Sequence, residues 1–260
     1  MLKPLVFSLL LAPFSALASP FLTSAADAHA NLPVHQFSKR RPLPPLPDND
    51  PWYAAPDNLE SLAPGTIIKS RPGPRQLSLD NEHALKAEAI HQVQFRSTNA
   101  VGAPIAAAMT VIVPENAKPD HLLSYIYFSD SPSPNYNPSL EMTLRPGYQV
   151  VFSKQQLGPI ISAMEEGWII AVPDDNGPQA SFPSGPTMGY ITMDSIRAAL
   201  QSQSITGISP DAIVTCNGYS GGGITMAWLS ELQPTYAPEL NIAGIALGGL
   251  VPDFTYLAGE

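Results

Sequence analysis

Cysteine and basic residues are both scarce in this sequence. Cys216 is the only cysteine among 260 residues, so no disulfide can form within the chain. It ends an apolar run, and we expect it to be buried as a small hydrophobic residue rather than to act as a nucleophile. Lysine and arginine number 13 against 22 aspartates and glutamates, a net charge of −9. Such an acidic chain repels a phosphate backbone, so we predict no nucleic-acid partner.

Long apolar runs are also missing. The stretch from Leu5 to Phe14 is shorter than the roughly 18 to 20 residues that a membrane-spanning helix needs. No later segment is long and apolar enough, so we predict no transmembrane segment. Lys3 before this stretch and the small residues at 16–18 after it predict a signal peptide over residues 1–18. We therefore expect a secreted, extracellular protein.

Proline is abundant ahead of the expected folded region. Residues 19–41 end in a basic triplet, which indicates either a pro-segment cleaved at that triplet or a solvated, flexible terminus. Half of residues 42–51 are proline, a composition that favours extended polyproline II. We therefore predict a proline-rich linker over residues 42–60. Residues 61–260 remain, enough for one large core.

The rest of the chain alternates between strand patterns and helix patterns. We predict strands at 89–96, 105–113, 122–128, 168–172, 212–216 and 242–247, and helices at 157–166, 188–203 and 221–232. The first two strands flank a turn-rich segment and form a hairpin. Helices between the later strands imply crossover connections, a mostly parallel sheet and helices on both faces. The predicted fold class is α/β.

One motif carries the chemistry. Gly218-Tyr219-Ser220-Gly221-Gly222 matches G-x-S-x-G between a predicted strand and a predicted helix. A nucleophilic serine stands on a turn so tight that neighbouring Cβ atoms would clash, which explains the glycines. The following helix directs unpaired N–H groups at the reaction centre, so the Gly221 amide can stabilise an oxyanion. We predict Ser220 as the nucleophile of an elbow formed with Gly218, Tyr219 and Gly222.

Several blocks around this motif resemble the fungal secretory lipase family, related to lipase A of Candida antarctica. The blocks are residues 97–100, 130–139, 194–198, 218–222 and 236–242. The resemblance covers about residues 50–260 and implies an α/β-hydrolase fold and triacylglycerol lipase activity in lipid catabolism. It also implies a lipid ester substrate at an oil–water interface and no cofactor. No metal site is predicted, and the oligomeric state is left open.

The same resemblance implies that Asp130 supplies the second oxyanion donor. Asp130 follows the predicted strand 122–128, and α/β-hydrolases take this donor from the loop after their third strand. A carboxyl that donates a hydrogen bond must be protonated, which an apolar pocket can achieve. Without the resemblance, an ordinary loop aspartate in an Asx turn is the better interpretation of this residue.

The order Ser, acid, His of the α/β-hydrolase triad has no complete match. All five histidines precede Ser220: His29, His35, His83, His91 and His121. We therefore expect a C-terminally truncated, incomplete hydrolase domain over residues 61–260 that lacks the later Asp and His. His121 is excluded as a base, because its strand separates it from Asp130 by about 23 Å. Strand 242–247 should then be an exposed sheet edge, and we expect poor solubility.

Three functions agree with these observations. The first is a secreted carboxylic ester hydrolase of the triacylglycerol lipase type. The second is a catalytically inactive, hydrolase-like fragment that binds lipid or a partner. The third is a secreted serine peptidase, because an elbow alone does not distinguish esters from amides. The blocks that resemble lipases favour the first.

Overall fold

The computed structural model describes residues 44–73, 76–78, 84–142 and 156–250. The predicted signal peptide at 1–18 and the predicted pro-segment at 19–41 lie outside these residues. Three of the five histidines, His29, His35 and His83, also lie outside them.

Nine strands and five α-helices form the described part of the chain. The strands are β1 (Ile67–Pro72), β2 (Gln76–Ser78), β3 (Ala84–Lys86), β4 (Ala89–Thr98), β5 (Pro104–Val113), β6 (Lys118–Ile126), β7 (Trp168–Pro173), β8 (Ile213–Tyr219) and β9 (Ile242–Gly248). The helices are α1 (Pro138–Glu141), α2 (Leu157–Glu165), α3 (Gly185–Leu200), α4 (Gln203–Thr206) and α5 (Gly221–Tyr236). No helix in these residues has the length and hydropathy needed to span a membrane.

Seven of the strands form one mixed sheet, in the order β1-β4-β5-β7-β6-β8-β9. The three pairings from β1 to β7 are antiparallel, and the three from β7 to β9 are parallel. The α/β class is confirmed, but the sheet is parallel only in the half that contains β8. Strands β2 and β3 pair with each other in a separate two-stranded sheet.

Strands β4 and β5 form the predicted hairpin. Their residues pair without a break from Ala89↔Val113 to Thr98↔Pro104. The turn is closed by the Asn99 N–H, which donates to the Ala103 carbonyl at 2.9 Å. Gly102 has a φ of 83° in this turn, a conformation that glycine adopts without steric cost. The antiparallel half of the sheet therefore begins as a local structure.

The helices cover both faces of the parallel half. Leu122 and Ile126 of β6 belong to the same core cluster as Ile191 of α3 and Met226 of α5. Tyr125 alternates to the opposite face, where it lines a cavity together with Pro159 of α2. Helices α3 and α5 thus lie on one face and α2 on the other. This arrangement confirms the predicted layers.

Cys216 of β8 is part of the core, as predicted. Its side chain is 2% exposed and lies in the cluster between the sheet and helices α3 and α5. Burial raises the pKa of its thiol to about 12. A thiol that stays protonated is a poor nucleophile, so the residue acts in packing.

Strand β9 forms the edge of the sheet in the described part of the chain, as predicted. Its residues Ala243, Ala246 and Leu247 are exposed. On the neighbouring β8, Ile213 and Tyr219 are also exposed, at 47% and 59%. Apolar side chains beside an open edge promote association between chains. Poor solubility stays a prediction.

The segment ahead of β1 differs from an extended polyproline helix. Residues Pro47–Asn49, Pro51–Tyr53 and Leu59–Ser61 form short 3-10 helices. Asp50 is buried and forms a salt bridge of 2.6 Å with Arg71 of β1. The proline at the start of each of the first two helices provides a suitable φ, and Asp50 caps the second by accepting from the Trp52 N–H. The segment packs on the sheet.

Helix α5 continues beyond its predicted end. The sequence predicts an end at residue 232 because of Pro234, whereas the helix extends to Tyr236 with Pro234 inside it. The bond that Pro234 cannot donate would go to the Ser230 carbonyl, and Ser230 is exposed, so water can satisfy that carbonyl. The Gln233 side chain then donates to the carbonyls of Ala237 and Leu240 beyond the helix end. These bonds satisfy two carbonyls that follow the end of the helix.

Candidate active site

The carboxyl ends of the parallel strands converge at one edge of the sheet. β6, β7 and β8 are neighbours that point the same way, and the chain leaves them toward Asp130, Asp174 and Ser220 respectively. Ligand sites of α/β sheets occur at this edge because loops from several strands meet there. The structure therefore brings together two of the predicted site residues, Ser220 and Asp130.

Ser220 lies between β8 and α5 in a strained backbone conformation. Its φ is 55° and its ψ is −120°, outside the regions that residues with a Cβ normally occupy. A Cβ added at Gly218 would lie 2.3 Å from the Gly222 carbonyl oxygen, and one added at Gly222 would lie 2.6 Å from the Ile126 carbonyl oxygen. Only glycine fits both positions. The side chain of Ser220 is half-buried.

The end of β9 holds the other side of this turn. The Ser220 N–H donates to the Gly248 carbonyl at 2.9 Å. A Cβ added at Gly223 would lie 2.4 Å from the same carbonyl oxygen, which explains the third glycine of the row. Tyr219 points outward, and its ring lies against Gly248 and Gly249.

Asp130 and Gly221 are adjacent. A Cβ added at Gly221 would lie 2.0 Å from Asp130 Oδ1 and 3.2 Å from the Phe182 ring. Asp130 has a φ of 44°, a second strained residue at this edge. Partial burial raises the pKa of its carboxyl above the ordinary range, which favours the protonated form that can donate a hydrogen bond.

Three buried polar residues that the sequence analysis missed follow β7. We call Asp174, Asp175 and Asn176 the β7 turn; each is 2% exposed. Burial raises the pKa of both aspartates to about 7. For Asp175, repulsion from the nearby Asp174 and Asp130 carboxylates adds to the increase, and a hydrogen bond from Thr225 opposes it. The sequence signal was two aspartates placed directly after a predicted strand.

The histidines in the described residues are far from Ser220. His121 pairs with Ile213 at the start of β8. Its Nδ1 lies 3.0 Å from Asp120 Oδ1, and its ring stacks on Trp168. His91 lies on β4, which is four strand spacings of about 4.8 Å from β8. The described residues therefore place no histidine where it could accept the proton of Ser220. They also contain no cluster of three or more His, Cys, Asp or Glu side chains suited to a metal ion.

Comparison with known proteins gives the same family as the sequence blocks. Residues 147–260 match the family model described as Secretory lipase. The predicted resemblance to the secretory lipases is therefore confirmed. The chain is 39% identical to Lipase A of Arthroderma benhamiae over 231 residues, which cover 86% of this chain and 49% of that protein. It is 36% identical to Secreted triacylglycerol lipase LIP2 of Malassezia furfur over 248 residues, covering 94% and 51%.

Two further relatives bear on fold and activity. The crystal structure of Candida antarctica lipase A is 30% identical with a TM-score of 0.68, covering 80% of this chain and 47% of that one. The α/β-hydrolase fold is thus confirmed. A 36% identical relative from Mycobacterium tuberculosis, covering 85% of this chain and 49% of its own length, carries the name Probable inactive lipase MT1628. The chain spans about half the length of the curated relatives it matches.

Proposed function

We propose that this chain carries the nucleophile and oxyanion hole of a secreted carboxylic ester hydrolase of the triacylglycerol lipase type. The observation that supports the proposal most strongly is the position of Ser220. It stands at a positive φ between β8 and α5, with the Asp130 carboxyl beside the Gly221 amide at the same edge of the sheet. A relative named Secreted triacylglycerol lipase LIP2 supports a lipid ester substrate outside the cell.

The chemistry assigned to these residues is acyl transfer. Ser220 Oγ attacks the ester carbonyl carbon while a general base takes its proton, and the carbonyl oxygen becomes an oxyanion. The Gly221 N–H and a protonated Asp130 carboxyl donate hydrogen bonds to that oxyanion. The intermediate then expels the alcohol, which takes up a proton, and leaves an acyl-serine. Water attacks the acyl-serine, releasing the fatty acid and restoring the serine hydroxyl.

A second candidate is a hydrolase-like module that binds lipid or a partner without turnover. The distance of His91 and His121 from Ser220 favours it, because neither histidine of the described residues can take the proton of Ser220, and a serine that is not activated reacts slowly. The name of one relative, Probable inactive lipase MT1628, also supports this candidate. A peptidase has no specific observation in its favour.

A fluorophosphonate probe tests the proposal, because it reacts with an activated serine. We expect labelling of the wild-type chain that Ser220→Ala abolishes. Ser230→Ala is the control, since Ser230 is exposed on the same helix α5 and should leave labelling unchanged. A folded wild-type chain that is not labelled would support the binding module instead. Ester and peptide substrates with the same acyl group would then separate lipase from peptidase.

A further inference from the structure

The β7 turn connects three separate segments around the edge that carries Ser220. Asp174 accepts hydrogen bonds from the N–H and hydroxyl of Ser139 in α1. Asp175 accepts one from Thr225 Oγ1 of α5 at 2.7 Å. Asn176 Nδ2 donates to Ser129 Oγ at 2.7 Å. Three consecutive residues thus make contact with α1, with the elbow helix and with the loop after β6.

Two of these contacts involve residues that adjoin the proposed oxyanion donors, Asp130 and Gly221. Ser129 is the residue before Asp130 in the chain. Thr225 is 0% exposed and lies one turn beyond Gly221, whose carbonyl oxygen is 3.3 Å from the Thr225 hydroxyl. Gly221 has no side chain of its own. The side chain of Thr225 therefore links this first turn of α5 to Asp175 in the β7 turn.

The contact between Asp175 and Thr225 is chemically demanding. Burying a carboxyl to this extent costs free energy unless the carboxyl is hydrogen-bonded. The bond to Thr225 therefore restrains the distance between the β7 turn and α5. The neighbouring Asp130 and Asp174 carboxyls also disfavour negative charge around Asp175. Burial separately raises the pKa of Asp130, which favours the protonated state in which it can donate.

We propose that Asp175 and Asn176 are positioning residues, which hold the Gly221 amide through Thr225 and the Asp130 loop through Ser129. The inference rests on the function proposed above and adds a set of supporting residues to it. Positioning matters because a displacement of about 1 Å in a catalytic group costs about a hundredfold in rate. The β7 turn would therefore set how well the two donors converge on one oxygen atom.

Thr225→Val tests the link to Gly221. This change keeps the shape of the side chain and removes the hydroxyl, so we expect fluorophosphonate labelling of Ser220 to slow by about tenfold to a hundredfold. Thr225→Ser restores the hydroxyl and should return the wild-type rate. Thr192→Val is the matched control. Thr192 is also a fully buried helical threonine bonded to the carbonyl four residues earlier, and within the described residues its hydroxyl bonds that carbonyl rather than a carboxyl. It should label at the wild-type rate.

Ser129→Ala tests the second link, because it removes the acceptor of the Asn176 amide without touching the elbow. We expect slower labelling by a similar factor. The idea is overturned if Thr225→Val and Ser129→Ala, once shown to be folded by circular dichroism, label as fast as Thr192→Val. It is equally overturned if Thr225→Ser remains as slow as Thr225→Val.

A measurement that needs no reactivity separates this inference from the proposed function. Hydrogen–deuterium exchange of the peptide covering residues 218–226 reports the order of the elbow directly. We expect Thr225→Val to increase its exchange and Thr192→Val to leave it unchanged. If the wild-type chain is not labelled, the ester hydrolase proposal fails. Unchanged exchange in Thr225→Val would then refute the positioning role, and increased exchange would support it.

Discussion

The backbone conformation around Ser220 requires that neighbouring residues have no Cβ atom. The turn brings the backbone of Gly218 against that of Gly222, and Gly222 in turn lies against the β6 backbone at Ile126. These contacts are with carbonyl oxygens, which cannot move aside as a flexible side chain would. The elbow therefore depends on glycine for space, not only for the freedom of its φ angle.

We expect Gly222→Ala to destabilise the protein by about 1 to 3 kcal/mol, the usual cost of forcing an extra carbon into a packed site. The added Cβ would meet the Ile126 carbonyl oxygen at 2.6 Å and push α5 away from β6. Urea unfolding of the purified chain measures the effect. Gly244→Ala is the control, because the site beside Gly244 on β9 is open, and it should be neutral. Equal midpoints for the two variants would contradict the packing argument.

The turn at Ser220 could be predicted from the sequence because the spacing of its residues has a local cause. Ser220 and its glycines form one turn, and the strand and helix on either side could be predicted from periodicity. The role proposed for Asp130 comes from the family resemblance alone, since a lone aspartate after a strand has many interpretations. The β7 turn was missed because its partners, Ser139, Thr225 and Ser129, are between 35 and 50 residues away. No local pattern records such pairings.

At the scale of elements, a buried polar cluster joins α3, α5 and β4. Asp194 of α3 is 0% exposed and accepts hydrogen bonds from Ser97 of β4, from Tyr236 of α5 and from Arg197. Arg197 also bonds Glu239 beyond the end of α5. Burial raises the pKa of Asp194, while these donors oppose the shift. The cluster fixes the end of α5 far from the serine.

We expect Tyr236→Phe to destabilise the protein by about 1 to 3 kcal/mol, the usual loss when one of several hydrogen bonds to a buried carboxylate is removed. The change removes the hydroxyl that bonds Asp194 at 2.8 Å and keeps the ring, which packs on Tyr190 with centroids 4.3 Å apart. Thermal unfolding checks the prediction. Tyr136→Phe, at an exposed tyrosine, should leave the melting temperature unchanged. A Tyr236→Phe variant as stable as wild type would show that the cluster tolerates loss of one donor.

Elements with strong periodicity were predicted, and those formed by long-range pairing were not. The β4–β5 hairpin, strands β6 to β9 and helices α2, α3 and α5 all follow from apolar patterns. β1 was missed because Ile67–Pro72 has two adjacent isoleucines followed by polar residues, and its pairing with β4 joins distant parts of the chain. The antiparallel half of the sheet also depends on the pairing of β5 with β7, and the pattern of one segment does not show which strand it pairs with.

At the scale of the whole molecule, the short 3-10 helices before β1 are part of the folded unit. Tyr53 shares a 2.9 Å hydrogen bond with Ser139, the residue that also bonds Asp174 of the β7 turn. Gln94 of β4 donates to the Tyr53 carbonyl. A segment predicted as a linker from its prolines is thus connected to the buried acids. Proline content alone does not distinguish a linker from a rigid, docked segment.

We expect the free energy of unfolding to fall as the pH rises from about 4 to about 7. In this range the folded protein keeps protons on Asp174 and Asp175, whose pKa is about 7, while an unfolded chain with ordinary aspartates has lost them. Because the folded state binds more protons there, its stability decreases with pH. Below about pH 4 both states are protonated and this contribution becomes constant.

Urea unfolding at several pH values measures this slope. Asp174→Asn removes one of the two titrating groups, so the slope should become shallower. Its amide oxygen can still accept from the Ser139 N–H, and its NH2 group can donate to the Ser139 hydroxyl oxygen. Asp211→Asn, at an exposed aspartate, controls for the change of net charge. If Asp174→Asn and Asp211→Asn give the same slope, the buried carboxyls do not cause the pH dependence.

The hydrogen bond from the Ser220 amide to Gly248 has a mechanical consequence. β9 pairs with β8 on one side only in the described residues, so its last carbonyl is fixed by the serine turn itself. Peeling of β9 by thermal motion or by an applied load would therefore pull directly on the backbone of Ser220, the proposed nucleophile. As far as the described residues show, fraying of β9 and loss of reactivity at Ser220 should be one event.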